Sequence, residues 1–336
     1  MKVSEIGEFG LIDLFARMAY GARNKQSRAW QQLIAGIGDD TAAWRGDTSI
    51  QLATTDLLIQ GVHFPDNVIS WEGLGWRAMA ANLSDIAAMG GLPLYALVSL
   101  ALPGHTEVDD VTALYRGMIE LADQHGVAIV GGDTSSAPLV SITLTILGSA
   151  AQNKHILTRS AAKVGDKVAV TGYLGTAAAG LKMIMRQLRF DPATADCLKK
   201  AFFNPCPRIA EGQILVEHGV RAAIDISDGL ISDLKHICKG SWVGARIEVD
   251  RVPVRPEVRD SFGEEALQLA LSGGEDYELL FTAEAHVIDG IKKVTSCPVT
   301  TIGEIVADKA NIIFLVDREG KPFELTRAGW EHFAGR

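Results

Sequence analysis

Two rhythms of apolar residues alternate along the chain. Runs that are continuously apolar, or that alternate with period two, predict strands at residues 51–55, 95–102, 128–130 and 140–147. Between them, residues 71–89 form an Ala-rich helical segment closed by Gly90, Gly91 and Pro93, and residues 108–125 carry Val108, Val111, Leu114, Met118 and Leu121 at helical spacing. A polar break at residues 152–155 precedes a second set. There, strands are expected at 167–171, 222–226, 245–249, 277–282, 299–305 and 312–316, interleaved with helices at 176–188, 208–218, 230–238 and 264–271. This order predicts an α/β protein of α+β type in two domains, residues 1–150 and 151–336. With 336 residues and 47% apolar content the chain has material for two cores.

Charge narrows the range of partners. A formal net charge of -9 argues against a nucleic-acid or anionic-membrane surface, where clustered Lys and Arg would have to neutralise phosphates. A polyanionic substrate would then need bound cations or local Arg. No signal-peptide-like stretch follows Met1, and no run approaches the ~20 apolar residues of a membrane helix, so a cytoplasmic protein is expected. Cys197, Cys206, Cys238 and Cys297 form no CxxC pair, and buried thiol packing is expected of each.

The chemistry is carried by aspartates beside glycines or strand ends. Gly38-Asp39-Asp40-Thr41 puts two acids in a loop, Thr54-Thr55-Asp56 is expected to end the first strand, and Gly131-Gly132-Asp133-Thr134 to follow the strand before it. Asp225-Ile226-Ser227-Asp228-Gly229 joins a strand to a helix. Each segment alone reads equally as an ordinary turn or cap. Asp85 differs, because Ala81, Leu83, Ile86, Ala87, Ala88 and Met89 surround it on its helix, and an unpaired charge buried there costs several kcal/mol. A cation offsets that cost. Oxygen donors without His or Cys select Mg²⁺ or Ca²⁺, and Mg²⁺ commonly bridges a few carboxylates to phosphate. Gly131-Gly132 would let backbone N–H groups approach phosphate, and Arg159 offers a positive group.

These segments, with Gly61-Val62-His63-Phe64, Asn82-Leu83-Ser84-Asp85 and Ser272-Gly273-Gly274-Glu275-Asp276-Tyr277-Glu278, together resemble the thiamine-monophosphate kinase family over nearly the whole chain. The resemblance implies a two-domain fold like that of aminoimidazole ribonucleotide synthetase, a homodimer formed by pairing the N-terminal sheets, and ATP bound near that interface. It implies several Mg²⁺ ions held by Asp40, Thr54, Thr55, Asp56, Asp85, Asp133, Asp225 and Asp228. Gly132, Asp133, Arg159 and Ser227 become ATP contacts, while Tyr115 stands between an adenine neighbour and a core residue. His63, Glu275 and Trp330 fall at positions for thiamine monophosphate: His63 at its phosphate, Glu275 at the aminopyrimidine, Trp330 at the thiazolium by a cation–π contact. Core packing is the other reading of Trp330. Beside Arg159, Ala161 and Val164 depart from the family pattern, which has Gly and Pro there.

The reaction implied is ATP-dependent phosphorylation of thiamine monophosphate to thiamine diphosphate. A phosphate monoester has its second pKa near ~6, so the acceptor needs no general base and direct in-line transfer suffices. Two other readings stand beside this one: another ATP-dependent synthetase of the superfamily, and a nucleotide- or metal-binding module without turnover.

Overall fold

In the computed structural model the described residues are 33–35, 42–45, 49–64, 70–151, 155–308 and 310–325. Asp40 and Trp330 lie outside them, as does the whole Gly38–Thr41 motif. The first half comprises β1 (Leu33–Ala35), β2 (Ala42–Arg45), β3 (Ser49–Ile59), α1 (Trp71–Ala88), β4 (Leu92–Leu102), α2 (Val108–Gln124), β5 (Ala128–Ser136) and β6 (Ser141–Ala151). Its sheet runs β1-β2-β3-β6-β4-β5, antiparallel except where β4 meets β5. The second half comprises β7 (Lys167–Thr171), α3 (Thr176–Met185), α4 (Pro192–Phe203), α5 (Ile209–Glu217), β8 (Ala222–Asp225), α6 (Leu230–Ser241), β9 (Gly244–Glu248), α7 (Pro256–Phe262), α8 (Glu265–Ser272), β10 (Leu279–Ala283), α9 (Ala285–Val294), β11 (Val299–Val306) and β12 (Ile313–Val316). These strands form a second sheet, ordered β12-β9-β11-β7-β10-β8. The structure is thus mixed α/β, as the pattern predicted.

Helix α1 is the centre of the molecule. Ser70 caps it by accepting the Gly73 N–H at 3.0 Å, and the left-handed Gly90 follows its end. Its near-uniform apolarity follows from position, since one side lies on β3 and β6 and another on β8 and α5. Leu83 and Ile86 are fully buried in one cluster with Leu144 and Ile146 of the first sheet and Ala223, Leu279 and Phe281 of the second. Burying each such large side chain contributes about 1.5–3 kcal/mol before entropy is counted.

Two motif placements differ from the sequence expectation. Thr54-Thr55-Asp56 lies inside β3, which runs on to Ile59, because β6 pairs with it along its full length. Gly131-Gly132-Asp133-Thr134 lies inside β5 and does not follow it, because the strand continues along β4 to Ser136 past a bulge. Helices α4, α7 and α9 were not anticipated. Of the cysteines, Cys238 and Cys297 are buried and Cys197 partly so, whereas Cys206 is exposed, in departure from the expected burial. No helix among the described residues is long and apolar enough to cross a membrane.

Candidate active site

Three of the acidic segments, those of Thr54–Asp56, Asp85 and Asp225, meet where α1 passes between the two halves. From β3, Thr54 Oγ1 donates to Asp85 Oδ2 at 2.5 Å, and the Asp56 N–H donates to Asn82 Oδ1 at 3.1 Å. From the other side, Ser84 Oγ donates to the buried Asp225 Oδ2 at 2.7 Å. One helical stretch, residues 82–85, therefore touches acidic segments of both halves. Asp85 is the residue of this helix that the sequence singles out; Asn82 and Ser84 add contacts of their own, to Asp56 and Asp225.

Beyond Asp225, the loop of Ser227 and Asp228 is shaped by a residue absent from the sequence reading. Asp233, in the first turn of α6, turns back so that its Oδ2 accepts the N–H groups of Ser227, Asp228 and Gly229 at 3.1, 3.2 and 3.1 Å. Burial first, then the charges of Asp228 and Asp225, push the Asp233 carboxyl well above its ordinary range, while Arg159 pulls it back. Arg159 is therefore near enough to this acidic loop to act on it. Its own backbone carbonyl is held by Ser241 Oγ at 2.9 Å, and the Ala162 N–H donates to the same hydroxyl, so the C-terminus of α6 fixes the Arg159 segment.

The Gly274–Glu278 segment lies against the same loop. The Glu275 N–H donates to the Ser227 carbonyl at 2.8 Å and the Tyr277 N–H to that of Ile226 at 2.9 Å. A Cβ on Gly274, whose φ is +68°, would meet the Ser227 carbonyl at 2.4 Å, so only glycine fits there. Glu275 (φ 63°) and Tyr277 (φ 51°) also take left-handed backbone, a strain that neighbouring structure must hold in place. Glu275 Oε2 is bonded by Arg77 Nη2 and, at 3.1 Å, by the Tyr277 hydroxyl. Burial, followed by the charge of Glu275, raises the Tyr277 phenol; Arg77 pulls it back, and the charges of Asp56 and Asp225 add smaller contributions to the rise. Next along, Arg208 grips Glu278 through two nitrogens, at 2.6 and 2.5 Å.

Asp276 points the other way, accepting the N–H groups of Gly175 and Ala177 at 2.6 and 3.2 Å at the start of α3. Burial, which outweighs those two bonds, pushes its carboxyl up to about 7 from 3.8, with Glu278 and Glu275 adding to the rise. The protein crowds it on every side, yet part of its surface still meets water. A folded-state value above the unfolded one means that its contribution to stability is complete below pH 3.8 and is lost as pH rises through about 7. The Asp276→Asn variant, which cannot ionise, is expected to gain on the wild type across that window by about 1–3 kcal/mol, discounted for the exposed edge. Thermal melting of both proteins from pH 4 to 8 checks this; a constant difference would mean that the two amides keep the carboxylate charged throughout.

Other expected residues lie apart in the single chain. Thr55 and Asp133 occupy the outer face of the first sheet, opposite Thr54 and Asp56, since the helix-side positions of β3, β4 and β6 are the buried ones. Asp133 is level with Leu57 across β4 and β6, about 14 Å away at the usual strand spacing. Gly132 has a steric duty of its own: with φ +151°, a Cβ there would fall 1.7 Å from the Val98 carbonyl oxygen of β4. Tyr115 packs on the core and lines a groove of about 780 Å³ with Leu102, Val111 and Ile119. His63 closes a tight turn, its Nδ1 accepting the Ile59 N–H at 3.0 Å, so Nε2 carries the ring proton in the neutral form.

The donors around α1 are carboxylates and hydroxyls, hard oxygens suited to Mg²⁺. Among the described residues no three His, Cys, Asp or Glu side chains form a cage for a metal ion.

Residues 38–150 match the family model for AIR synthase related protein, N-terminal domain, and residues 163–316 that for AIR synthase related protein, C-terminal domain. These matches define the class of fold. The thiamine-monophosphate kinase of Escherichia coli (strain K12) is 41% identical over 337 residues, covering 98% of each chain. The solved structure of AaThiL complexed with AMPPCP and TMP has a TM-score of 0.85 at 32% identity and covers 99% of both chains. That of thiamine-monophosphate kinase from Stenotrophomonas maltophilia K279a has a TM-score of 0.75 at 34% identity, covering 94% of this chain and 98% of that one. The chain belongs to the thiamine-monophosphate kinase family.

Proposed function

We propose that this protein transfers the γ-phosphoryl group of ATP to thiamine monophosphate, giving thiamine diphosphate and ADP. The observation that carries the reading is the meeting of both halves' acidic segments on residues 82–85 of α1, beside the loop that presents Glu275. Two anions must be brought in line there despite their repulsion. Asp56, Asp85 and Thr54 on one wall, with Asp225 and Asp228 on the other, would hold Mg²⁺; Asp40, Thr55 and Asp133 complete the proposed set. Bound Mg²⁺ would supply charge neutralisation for the phosphoryl oxygens.

The chain's own residues do the rest. Arg159 and Ser227, fixed by α6, meet the ATP phosphates, and Gly132 with Asp133 meets the nucleotide from the first sheet. The apolar groove at Tyr115 suits an adenine ring. Glu275 and His63 take the aminopyrimidine and the phosphate of the acceptor, and Trp330 its thiazolium. With the acceptor phosphate largely ionised at neutral pH, no side chain has to remove a proton. A homodimer is part of this reading, supported by the exposed apolar residues Leu57, Tyr95 and Leu97 on the outer sheet face.

Product analysis with ATP, Mg²⁺ and a panel of phosphorylated acceptors tests the reaction. Thiamine diphosphate and ADP in equal amounts are expected, with no turnover in EDTA; ADP without thiamine diphosphate, or product from another acceptor alone, would overturn it. Light scattering on the same preparation should give twice the chain mass, and an active monomer would remove the dimer from the reading.

A further inference from the structure

Arg77 lies two turns before Asp85 on α1 and is almost fully buried, its side chain 3% exposed. Two residues of the second half, Phe202 and Glu275, hold it. Its guanidinium sits 4.2 Å over the ring of Phe202, and its Nη2 donates to Glu275 Oε2, which also receives the Tyr277 hydroxyl. The adjacent Trp76 is pinned as well, its indole N–H donating to the Pro205 carbonyl at 2.9 Å. The Arg77 Nε and Nη1 atoms are buried and have no hydrogen-bond partner among the described residues. A buried cation with two unpaired donors is costly, so packing alone is a poor account of it. Nor can those nitrogens bind a ligand directly, because they present no surface. The charge is spent on Glu275.

Glu275 itself reaches solvent, its side chain 34% exposed, and stands on left-handed backbone between Gly274 and Asp276. Both of its recorded donors converge on Oε2, and Oε1 has no hydrogen-bond partner among the described residues. A carboxylate on a strained loop would otherwise turn about its own bonds. Arg77 and Tyr277 together restrain that rotation by holding Oε2, and leave Oε1 uncommitted on a side chain that reaches solvent. We propose that Arg77 is the positioning residue of the acceptor site: from within α1 it aims Glu275 Oε1 at a donor group on the phosphorylated acceptor. This rests on the kinase reading above and deepens it, by coupling acceptor recognition to the helix that also carries Asp85.

The test is steady-state kinetics of Arg77→Met, Arg77→Lys and Glu275→Gln, together with the Arg77→Met/Glu275→Gln double variant. Wild-type turnover is established first, so failure of the kinase reading would be seen before any variant is made. Loss of one charge-assisted hydrogen bond predicts that Arg77→Met raises the KM for thiamine monophosphate by about 10- to 100-fold, with the KM for ATP changed by less than about 2-fold. Arg77→Lys should recover part of this, and in the double variant Arg77→Met should add little to Glu275→Gln. If Arg77→Met does not fold, Tyr277→Phe, which removes the other donor to Oε2, replaces it and should raise the same KM by a smaller factor. Equal rises for both substrates, full additivity in the double variant, or an unchanged acceptor KM would each overturn the proposal.

Discussion

Asp85→Asn is expected to lower kcat by about 10²–10⁴-fold while leaving the fold intact. The substitution keeps an oxygen that can accept the Thr54 hydroxyl, so the bond joining β3 to α1 survives. What disappears is one negative charge, at the point where α1 faces both acidic segments. If that charge holds Mg²⁺, higher Mg²⁺ should restore part of the rate, and wild-type enzyme stripped of metal should resemble the variant. Initial rates over a Mg²⁺ series, with circular dichroism as the check on folding, decide the matter. Near-normal turnover of Asp85→Asn would make the carboxylate a structural partner of Thr54 and leave the metal to other residues.

Asp233→Ala should be the most damaging change outside the acidic motifs. One oxygen of Asp233 accepts three consecutive backbone N–H groups, and its removal leaves those donors at the base of the loop without their acceptor. A loss of about 2–4 kcal/mol in unfolding free energy follows, together with an increase of about tenfold or more in the KM for ATP, because Ser227 and Asp228 lose their frame. Asp233→Asn retains an accepting oxygen and should be milder in both respects. Urea unfolding and ATP titration of the two variants make the comparison; wild-type stability in Asp233→Ala would show that the Gly274 packing alone shapes the loop.

How much of this could be read from residue order differs from element to element. The long apolar runs and the Ala-rich helix were legible because burial imposes their rhythm. Helix α4 was missed although Asp191 and Pro192 mark its start, with the Asp191 side chain capping the Thr194 N–H at 3.1 Å. Strand ends were misplaced at Thr54–Asp56 and Gly131–Thr134, since what extends those strands is a partner far along the chain. Asp233 looked like an ordinary first-turn acid, and nothing in its neighbours says that it faces backward. Arg77 was within reach, because the reasoning applied to Asp85, a charge amid apolar residues on one helix, holds equally for it. The convergence of Ser84 on Asp225 spans 141 positions and has no local signal.

The packing around α1 has a consequence for how the chain folds. The family models divide the sequence near residue 150, yet Leu83 and Ile86 share one apolar cluster with Phe281 and Leu279 from far beyond that point. A fragment ending at the division would leave the inner side of α1 facing water, and a fragment beginning there would strip β8 and β10 of their cover. The second half keeps a further core of its own, around Val168, Leu234, Ile247 and Ile302, but the cluster on α1 belongs to both halves. The halves should therefore melt together as one cooperative transition, and the seam that carries the site is the last place where the native protein can open cheaply.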